Sequence, residues 1–333
     1  MRLAAFLAII ACALCANGPR SLAADAIKIG LVKSTSPSVV YLTQDKGYFT
    51  AEGIAAEFVW FDSSQPISVA VTSGSIDFGV TPFTAGFYSL AGQGALKIIA
   101  GMLREAPGFH GAAYIVSNRA YGAGLKSLRD MPGHSVAVTQ IGSPPHYALG
   151  LLIEKYGFDP ASIRVLPLQS IANATSAVVG GQADATILTA ELLPVVEHGD
   201  AKLLGWVGDE TPWDRGAAFT ATATADNRHD LVERFLRAYR NGAQAYHDAF
   251  IGADEKPKLG PSSPEALAII AKYTGLSTEV IKLGLPYVDR DERLDVKDIL
   301  HQIAWYKSQG LLKGDIEGEP IIDRRYVIPL PSH

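Results

Sequence analysis

Cysteine is nearly absent from this chain, and the two cysteines that occur, Cys12 and Cys15, lie within its first fifteen residues. The sequence after residue 15 therefore offers no disulfide, no thiolate metal site and no cysteine nucleophile. The eight histidines are scattered, and none stands in a metal-ligand spacing such as H-E-x-x-H. We therefore expect no metal or other cofactor, and a fold that is stabilised by packing alone.

Runs of basic residues are also missing, and the formal net charge at pH 7 is −5. Nucleic-acid binding depends on clustered lysine and arginine side chains that neutralise phosphates, so nucleic acid is not an expected partner. Neither a G-x-S-x-G elbow nor a complete dinucleotide fingerprint occurs, which removes two common signs of an enzyme.

No apolar run reaches the ~20 residues that a membrane-spanning helix needs. The run Leu3–Leu14 is shorter, follows Arg2, and precedes a cluster of small residues at Ser21–Ala26. This order is typical of a secretory signal, which we predict for residues 1–24.

Export to the periplasm is the expected consequence of this signal. The cleavage positions compatible with it are Ala23, Ala24 and Ala26. A lipoprotein site is the alternative, because Ile9–Cys12 has suitable residue types and Cys12 would then carry the lipid.

Strand-like apolar runs alternate with helical patterns over the rest of the sequence. The predicted strands are Ile27–Val32, Ala56–Trp60, Phe78–Val80, Leu96–Met102, Ala112–Val116, Ser135–Val138, Arg164–Pro167, Ala185–Leu188, Lys202–Val207 and Ala217–Thr222. The predicted helices include Val39–Lys46, Pro66–Ser73, Phe83–Gly92, Ser143–Tyr156, Ile171–Gly180, Glu191–His198 and Arg228–Phe250. Such alternation predicts an α/β fold with mixed, mostly parallel sheets.

About three hundred residues exceed the usual size of one core, so two lobes are expected. We predict a first lobe in residues 25–115, a second lobe in 116–218, and a return to the first lobe with a C-terminal helical region in 219–333. Leu125–Gly133 is predicted to form a short amphipathic helix and turn that opens the second lobe. Two linkers between the lobes would form a hinge.

Three segments, in their order along the chain, resemble one known family. They are GYFTAEGI at 47–54, VTSGSIDFGV at 71–80 and SLRDMPGHSVAV at 127–138. They are similar to the GyFkkeGl, l..G.iDfg and dLkGk.vav patterns of the ABC-transporter substrate-binding proteins for nitrate, sulfonates, taurine and thiamine precursors.

The resemblance implies a two-lobed periplasmic-binding-protein fold of type II, with a ligand cleft between the lobes. It also implies that the protein is a monomer that delivers a small-molecule solute to an ABC permease in the inner membrane. Family membership leaves the ligand open, since members take sulfonates, nitrate, aromatic carboxylates, pyrimidines and other small solutes.

Loops at the carboxyl ends of the first-lobe strands contain candidate ligand-binding residues, because open α/β sheets bind ligands at that edge. Hydroxyls and amides before the first helix suit an anion or a carbonyl, although Ser34 and Ser36 are also typical N-caps. The resemblance implies that the turn after DFGV faces the cleft, while Asp77 is expected to satisfy turn amides. The candidates are Ser34, Thr35, Phe61, Asp62, Thr81 and Phe83.

The second lobe supplies candidates in its own loops. Gly142 allows a close backbone approach, and Ser143 with two prolines predicts a helix start whose amides and dipole attract a carboxylate or sulfonate. Trp213 offers a stacking wall and Arg215 a counter-charge, with a solvated Asp214–Arg215 pair as the alternative. The candidates are Gly142, Ser143, His146, Tyr147, Thr189, Glu191, Trp213 and Arg215.

Two of these candidates have a second interpretation. His146 is either a ligand contact or a solvent-exposed side chain, and Glu191 either caps the following helix or binds a cationic ligand group. Aromatic side chains beside hydroxyl loops favour an organic anion, an aromatic or aliphatic carboxylate or a sulfonate.

The expected function is capture of a small solute without covalent chemistry. A sensor partner that binds a solute and reports to a membrane receptor is one alternative. An enzyme on the same fold, in pyrimidine or menaquinone-precursor synthesis, is the other. The resemblance argues against the pyrimidine-forming enzymes, which rely on a Cys-rich segment that this sequence lacks.

Overall fold

A computed structural model describes residues 24–189 and 193–331. The predicted secretory signal up to Ala23, the lipid site at Cys12 and the candidate Glu191 lie outside these residues. Within the described ranges, no helix is both long enough and apolar enough to cross a membrane.

Strands and helices alternate along the described chain, as the apolar pattern predicts. The strands are β1 (Asp25–Val32), β2 (Ile54–Phe61), β3 (Phe78–Pro82), β4 (Leu96–Gly101), β5 (Arg104–Glu105), β6 (Ala112–Ser117), β7 (Ser135–Val138), β8 (Arg164–Pro167), β9 (Ala185–Thr189), β10 (Ala201–Trp206), β11 (Trp213–Asp214) and β12 (Gly216–Ala221). The helices are α1 (Ser38–Asp45), α2 (Tyr48–Ala51), α3 (Gln65–Thr72), α4 (Ala85–Gly92), α5 (Asn118–Ala123), α6 (Pro144–Tyr156), α7 (Ile171–Val179), α8 (Leu193–Glu197), α9 (Val207–Glu210), α10 (Thr222–Asn227), α11 (His229–Phe250), α12 (Ser263–Thr274), α13 (Thr278–Leu283) and α14 (Val296–Ser308).

The strands form two mixed five-stranded sheets. The first has the order β2-β1-β3-β12-β4, with β1 parallel to both neighbours and β12 antiparallel to both of its own. The second has the order β10-β6-β9-β7-β8, with β7 parallel and β6 antiparallel to their neighbours. We call each sheet with its packed helices the first and the second lobe. The predicted α/β class is confirmed, although the antiparallel strands β6 and β12 lie inside the sheets.

The chain crosses between the sheets at β5 and at β11, which pair with each other in antiparallel register. The predicted boundary between the lobes, between residues 115 and 116, lies inside Ala112–Ser117, which is strand β6 of the second sheet. The crossing therefore occurs earlier, in strands of two residues that are too short to show an apolar period. Leu125–Gly133 contains only a single 3₁₀ turn, Leu128–Asp130, because Pro132 and Gly133 end it.

Helix α14 packs against both lobes. Towards the first lobe, the Tyr88 hydroxyl of α4 donates to Gln302 Oε1 at 2.9 Å. Towards the second, the Tyr147 hydroxyl of α6 lies 2.7 Å from His301 Nδ1, and the Trp305 indole fills the space in front of Gly150. One apolar core is therefore continuous from α4 through α14 to α6.

Candidate ligand-binding cleft

A cleft lies between the carboxyl edges of the two sheets and encloses about 480 Å³, including the space at its open mouth. The residues that line it come from the ends of strands and the starts of helices in both lobes. They are Val32, Ser34, Ser36, Ser63, Ser64, Pro82, Thr139, Pro144, Pro145, Ile171, Ile187, Leu188, Thr189 and Arg215.

The first-lobe side of the cleft is the loop of Ser34 and Ser36, which hydrogen bonds hold in place. The Tyr41 hydroxyl of α1 donates to the Ser34 carbonyl at 2.9 Å, and the Ser36 amide donates to Ser34 Oγ at 3.3 Å. Helix α1 begins at Ser38 with Pro37 at its N-cap position and no side-chain cap. The alternative role of Ser34 and Ser36 as N-caps is therefore wrong.

The second-lobe side contributes a threonine hydroxyl and the start of α6. Thr189 Oγ1 is buried and has no hydrogen-bond partner among the described residues, so it is available to a ligand in the cleft that Thr189 lines. The α6 terminus offers fewer amides than predicted, because Pro144 and Pro145 have no N–H. The Ser143 amide is also used, since it donates to the Gln140 carbonyl at 3.1 Å.

His146 is a partly buried, neutral side chain in the first turn of α6. Its Nδ1 accepts the Gly142 amide at 3.0 Å, and its ring meets the Trp305 ring edge-on. Burial lowers the pKa of His146 to about 4. The solvent-exposed alternative is wrong, because the ring is partly buried and closes a turn, whereas the ligand contact stays a prediction.

Gly142 brings the lobes into contact. Its carbonyl accepts the Ala85 amide, at the start of first-lobe helix α4, at 2.9 Å. Its φ is +78°, and a Cβ there would lie 2.7 Å from the Ala85 Cβ. The predicted close backbone approach occurs, but it is made to the other lobe.

Arg215 is the one charged side chain among the described residues that line the cleft. Its Nη1 donates to Glu105 Oε1 at 2.8 Å, and the two side chains are 10% and 0% exposed. The alternative of a solvated Asp214–Arg215 pair is wrong, because Asp214 is buried and its amide donates to Asp298.

Of the predicted site residues, Ser34, Thr189 and Arg215 line the cleft. Trp213 lines an adjoining cavity beneath Arg215 and packs on Tyr147 at 4.8 Å. Phe83 and Tyr147 belong to the core, and Asp62 is exposed. The structure places the remaining predicted residues outside the cleft lining: Thr35, Phe61, Thr81, Gly142, Ser143 and His146.

Several lining residues were not predicted individually. Ser63 and Ser64 lie in a loop that was predicted, but the neighbouring Phe61 and Asp62 were chosen instead. Thr139 directly follows β7, so its position at a strand end was the available signal. Glu105, which lines the adjoining cavity, gave a weaker signal, as a single acid next to Arg104 in a chain crossing.

The family model described as NMT1/THI5 like matches residues 35–249 of this chain. No curated protein sequence matches the chain significantly. Among solved structures, the alkanesulfonate-binding protein SsuA from Xanthomonas axonopodis pv. citri, bound to MOPS, is 21% identical with a TM-score of 0.69. The match covers 89% of this chain and 97% of that one.

Two further structures extend this likeness. The periplasmic aliphatic sulphonate binding protein SsuA from Escherichia coli is 18% identical with a TM-score of 0.69, over 93% of this chain and 94% of that one. The desulfurization enzyme DSZB is 12% identical with a TM-score of 0.61, over 92% and 96%. Since binding proteins and an enzyme share the fold, the residues of the cleft carry the functional argument.

Proposed function

This chain belongs to the NMT1/THI5-like family, and on that premise we propose that it is a solute-binding protein that captures a small organic anion. The ligand class is a sulfonate or an aliphatic or aromatic carboxylate. Capture is by binding and closure of the two lobes, with no bond made or broken.

The position of the Arg215 guanidinium at the wall of the cleft is the observation that carries this proposal. A guanidinium binds carboxylate and sulfonate oxygens through paired N–H groups. The Arg215 side chain uses Nη1 on Glu105 and lies at the wall of a cleft whose other polar groups are hydroxyls, including those of Ser34 and Thr189. The prolines, isoleucine and leucine on the second-lobe side suit the apolar part of an organic anion.

The cleft also suits a closure mechanism. Serine hydroxyls come from the first lobe and Thr189 from the second, so one ligand would contact both. A ligand that contacts both lobes binds the closed form better than the open form and shifts the population towards closure.

We further propose that the protein works as a monomer in the periplasm and delivers its ligand to an ABC permease. The family and the likeness to sulfonate-binding proteins support this role. Deletion of the gene should abolish growth on the bound anion as sole sulfur or carbon source, whereas a sensor partner would alter gene expression and leave uptake intact.

A thermal-shift screen of the chain from residue 25 onward tests the ligand class. The panel is methanesulfonate, butanesulfonate, taurine, benzoate, succinate and nitrate, with thymine as a neutral control. A ligand that binds only the folded state at about 100 times its Kd adds about 2.7 kcal/mol of stability. A melting shift with an anion, lost in Arg215→Gln and kept in Arg324→Gln, supports the proposal. A shift with thymine alone contradicts it.

A further inference from the structure

The Glu105 carboxylate is the counter-charge of the Arg215 guanidinium. Its Oε1 accepts from Arg215 Nη1 at 2.8 Å, and its Oε2 accepts from the Ala112 amide at 3.1 Å. A Cβ at Gly111 would lie 2.7 Å from Oε2, so the absence of a side chain at Gly111 makes room for the carboxylate. Both carboxylate oxygens therefore have assigned partners inside the protein.

The pair joins the two chain crossings to the wall of the cleft. Glu105 is in β5, and Arg215 directly follows β11. The Arg215 amide donates to the Leu103 carbonyl at 3.0 Å, and its carbonyl accepts the Phe83 amide at 3.0 Å. With its backbone held in this way, the guanidinium lies between the cleft and the adjoining cavity, and it lines both.

The cavity beside Glu105 has an otherwise apolar lining. The adjoining cavity is lined, besides the pair, by Ala112, Pro144, Pro145, Ala148, Ile187, Val207 and Trp213. Four other ionisable groups lie on or next to the chain crossings and the strand β6, and each has its own partner. The Tyr114 hydroxyl is bonded to Thr211 at 2.8 Å, Arg104 pairs with Asp295, and Asp214 is bonded to the Asp295 amide. Arg215 is thus the partner on which the charge of Glu105 depends.

Burial raises the pKa of Glu105, while the Arg215 charge and the Ala112 amide oppose this rise. An anion that binds Arg215 would share the guanidinium and weaken its hold on the carboxylate. The pKa of Glu105 would then rise further in the complex.

We propose that Glu105 sets the charge selectivity of the cleft, by neutralising Arg215 until an anionic ligand takes over the guanidinium and Glu105 takes up a proton from solvent. This inference rests on the proposed capture of an anion. Glu105 is a positioning residue, because it acts through Arg215 and does not touch the ligand.

The direction of the pH dependence follows from this exchange. When the bound form has the higher Glu105 pKa, affinity is lowest above that pKa, rises as pH falls through it, and levels off below the pKa of the free form. Each unit of difference between the two pKa values corresponds to a tenfold change in affinity.

Isothermal titration of butanesulfonate, benzoate and nitrate into the wild type and Glu105→Gln tests the proposal, from pH 5 to pH 8.5. Glutamine keeps an acceptor for the Ala112 amide but removes the charge, so it should tighten anion binding at pH 8 by at least about tenfold. It should also flatten the pH profile. Glu292→Gln, which removes another buried glutamate, is the matched control and should leave both unchanged.

A second measurement uses the wild type alone. Titration across pH 5 to 8.5 in buffers of different ionisation enthalpy should show proton uptake by the protein on binding any of the three anions, in the window between the free and bound pKa values of Glu105. If Glu105→Gln does not fold, this measurement decides the matter, because binding without proton uptake at every pH of this range overturns the inference.

The outcomes separate the two proposals. Equal or weaker anion binding by Glu105→Gln, with the pH profile of the wild type, overturns the role of Glu105 and leaves anion capture intact. Binding of these anions by Glu105→Gln alone would show that the wild-type carboxylate is not displaced by an anion, and this overturns both the exchange at Arg215 and anion capture by the wild type. Binding by neither protein rejects anion capture, and the inference with it.

Discussion

Replacing Gly142 by alanine should weaken ligand binding by preventing the lobes from meeting. The new Cβ would lie 2.7 Å from the Ala85 Cβ, and backbone position fixes both atoms. The loop must withdraw, which breaks the hydrogen bond from the Ala85 amide to the Gly142 carbonyl. The loss of this contact destabilises only the closed arrangement of the lobes, because the contact joins one lobe to the other.

The expected loss of affinity follows from two effects. Loss of an ordinary hydrogen bond costs ~0.5–1.5 kcal/mol, and overpacking of this kind costs ~1–3 kcal/mol. Since 1.4 kcal/mol is a factor of ten in Kd, we expect affinity to fall by at least about tenfold. The positive φ of Gly142, +78°, adds a cost to stability of ~1–2 kcal/mol that is common to the open and closed forms.

Gly157→Ala is the matched control for this experiment. Gly157 ends the same helix α6 with φ +66°, but nothing lies within 4 Å of its added Cβ. Both variants should therefore melt earlier than the wild type, while only Gly142→Ala should lose affinity in isothermal titration with the anion found in the screen. Small-angle scattering should show no ligand-induced contraction for Gly142→Ala. Wild-type affinity in Gly142→Ala would refute the role of this contact in closure.

Two further predictions concern stability, and urea denaturation measures both. Gly150→Ala should destabilise the protein by ~2 kcal/mol or more, because the new methyl group meets the Trp305 ring. The control is Gly122→Ala in α5, whose new methyl group meets nothing within 4 Å, so this variant should be neutral or stabilising. Equal effects of the two substitutions would refute the packing of α14 on α6. Glu292 lies 2.7 Å from Arg240 but outside hydrogen-bonding geometry, and burial raises its pKa to about 8. The folded state then binds the extra proton between about pH 4.5 and 8, so the free energy of unfolding falls as pH rises through that window. Glu292→Gln should remove this slope and exceed the wild type by ~1–4 kcal/mol at pH 9, and an unchanged slope would contradict the assignment.

Most strands and helices could be predicted because their apolar pattern is local. Strands β7 and β8 have the predicted bounds, and α6 and α11 differ from prediction by one residue at one end. The exceptions are β5 and β11, which have two residues each and are formed by pairing with each other. No window of sequence around either one contains that information.

The site was predicted at the level of loops rather than side chains. Ser34, Thr189 and Arg215 line the cleft, whereas Phe83 and Tyr147 lie in the core, and the binding of a ligand by any of them stays a prediction. A position at a strand end predicts that a loop reaches the cleft edge. Which side chain of that loop faces the cleft depends on the helices packed behind it, such as α14 behind Tyr147.

The α/β class, the order of the elements and the membership of a family could be read from the sequence, because each follows from local periodicity or from motifs in order. The properties of the cleft depend on contacts between distant parts of the chain. Glu105 and Arg215 are 110 residues apart, and their pairing depends on two crossings that meet only in the folded chain. The contact of Gly142 with Ala85 is of the same kind, since the distance between two lobes is set by packing and no neighbour in sequence encodes it.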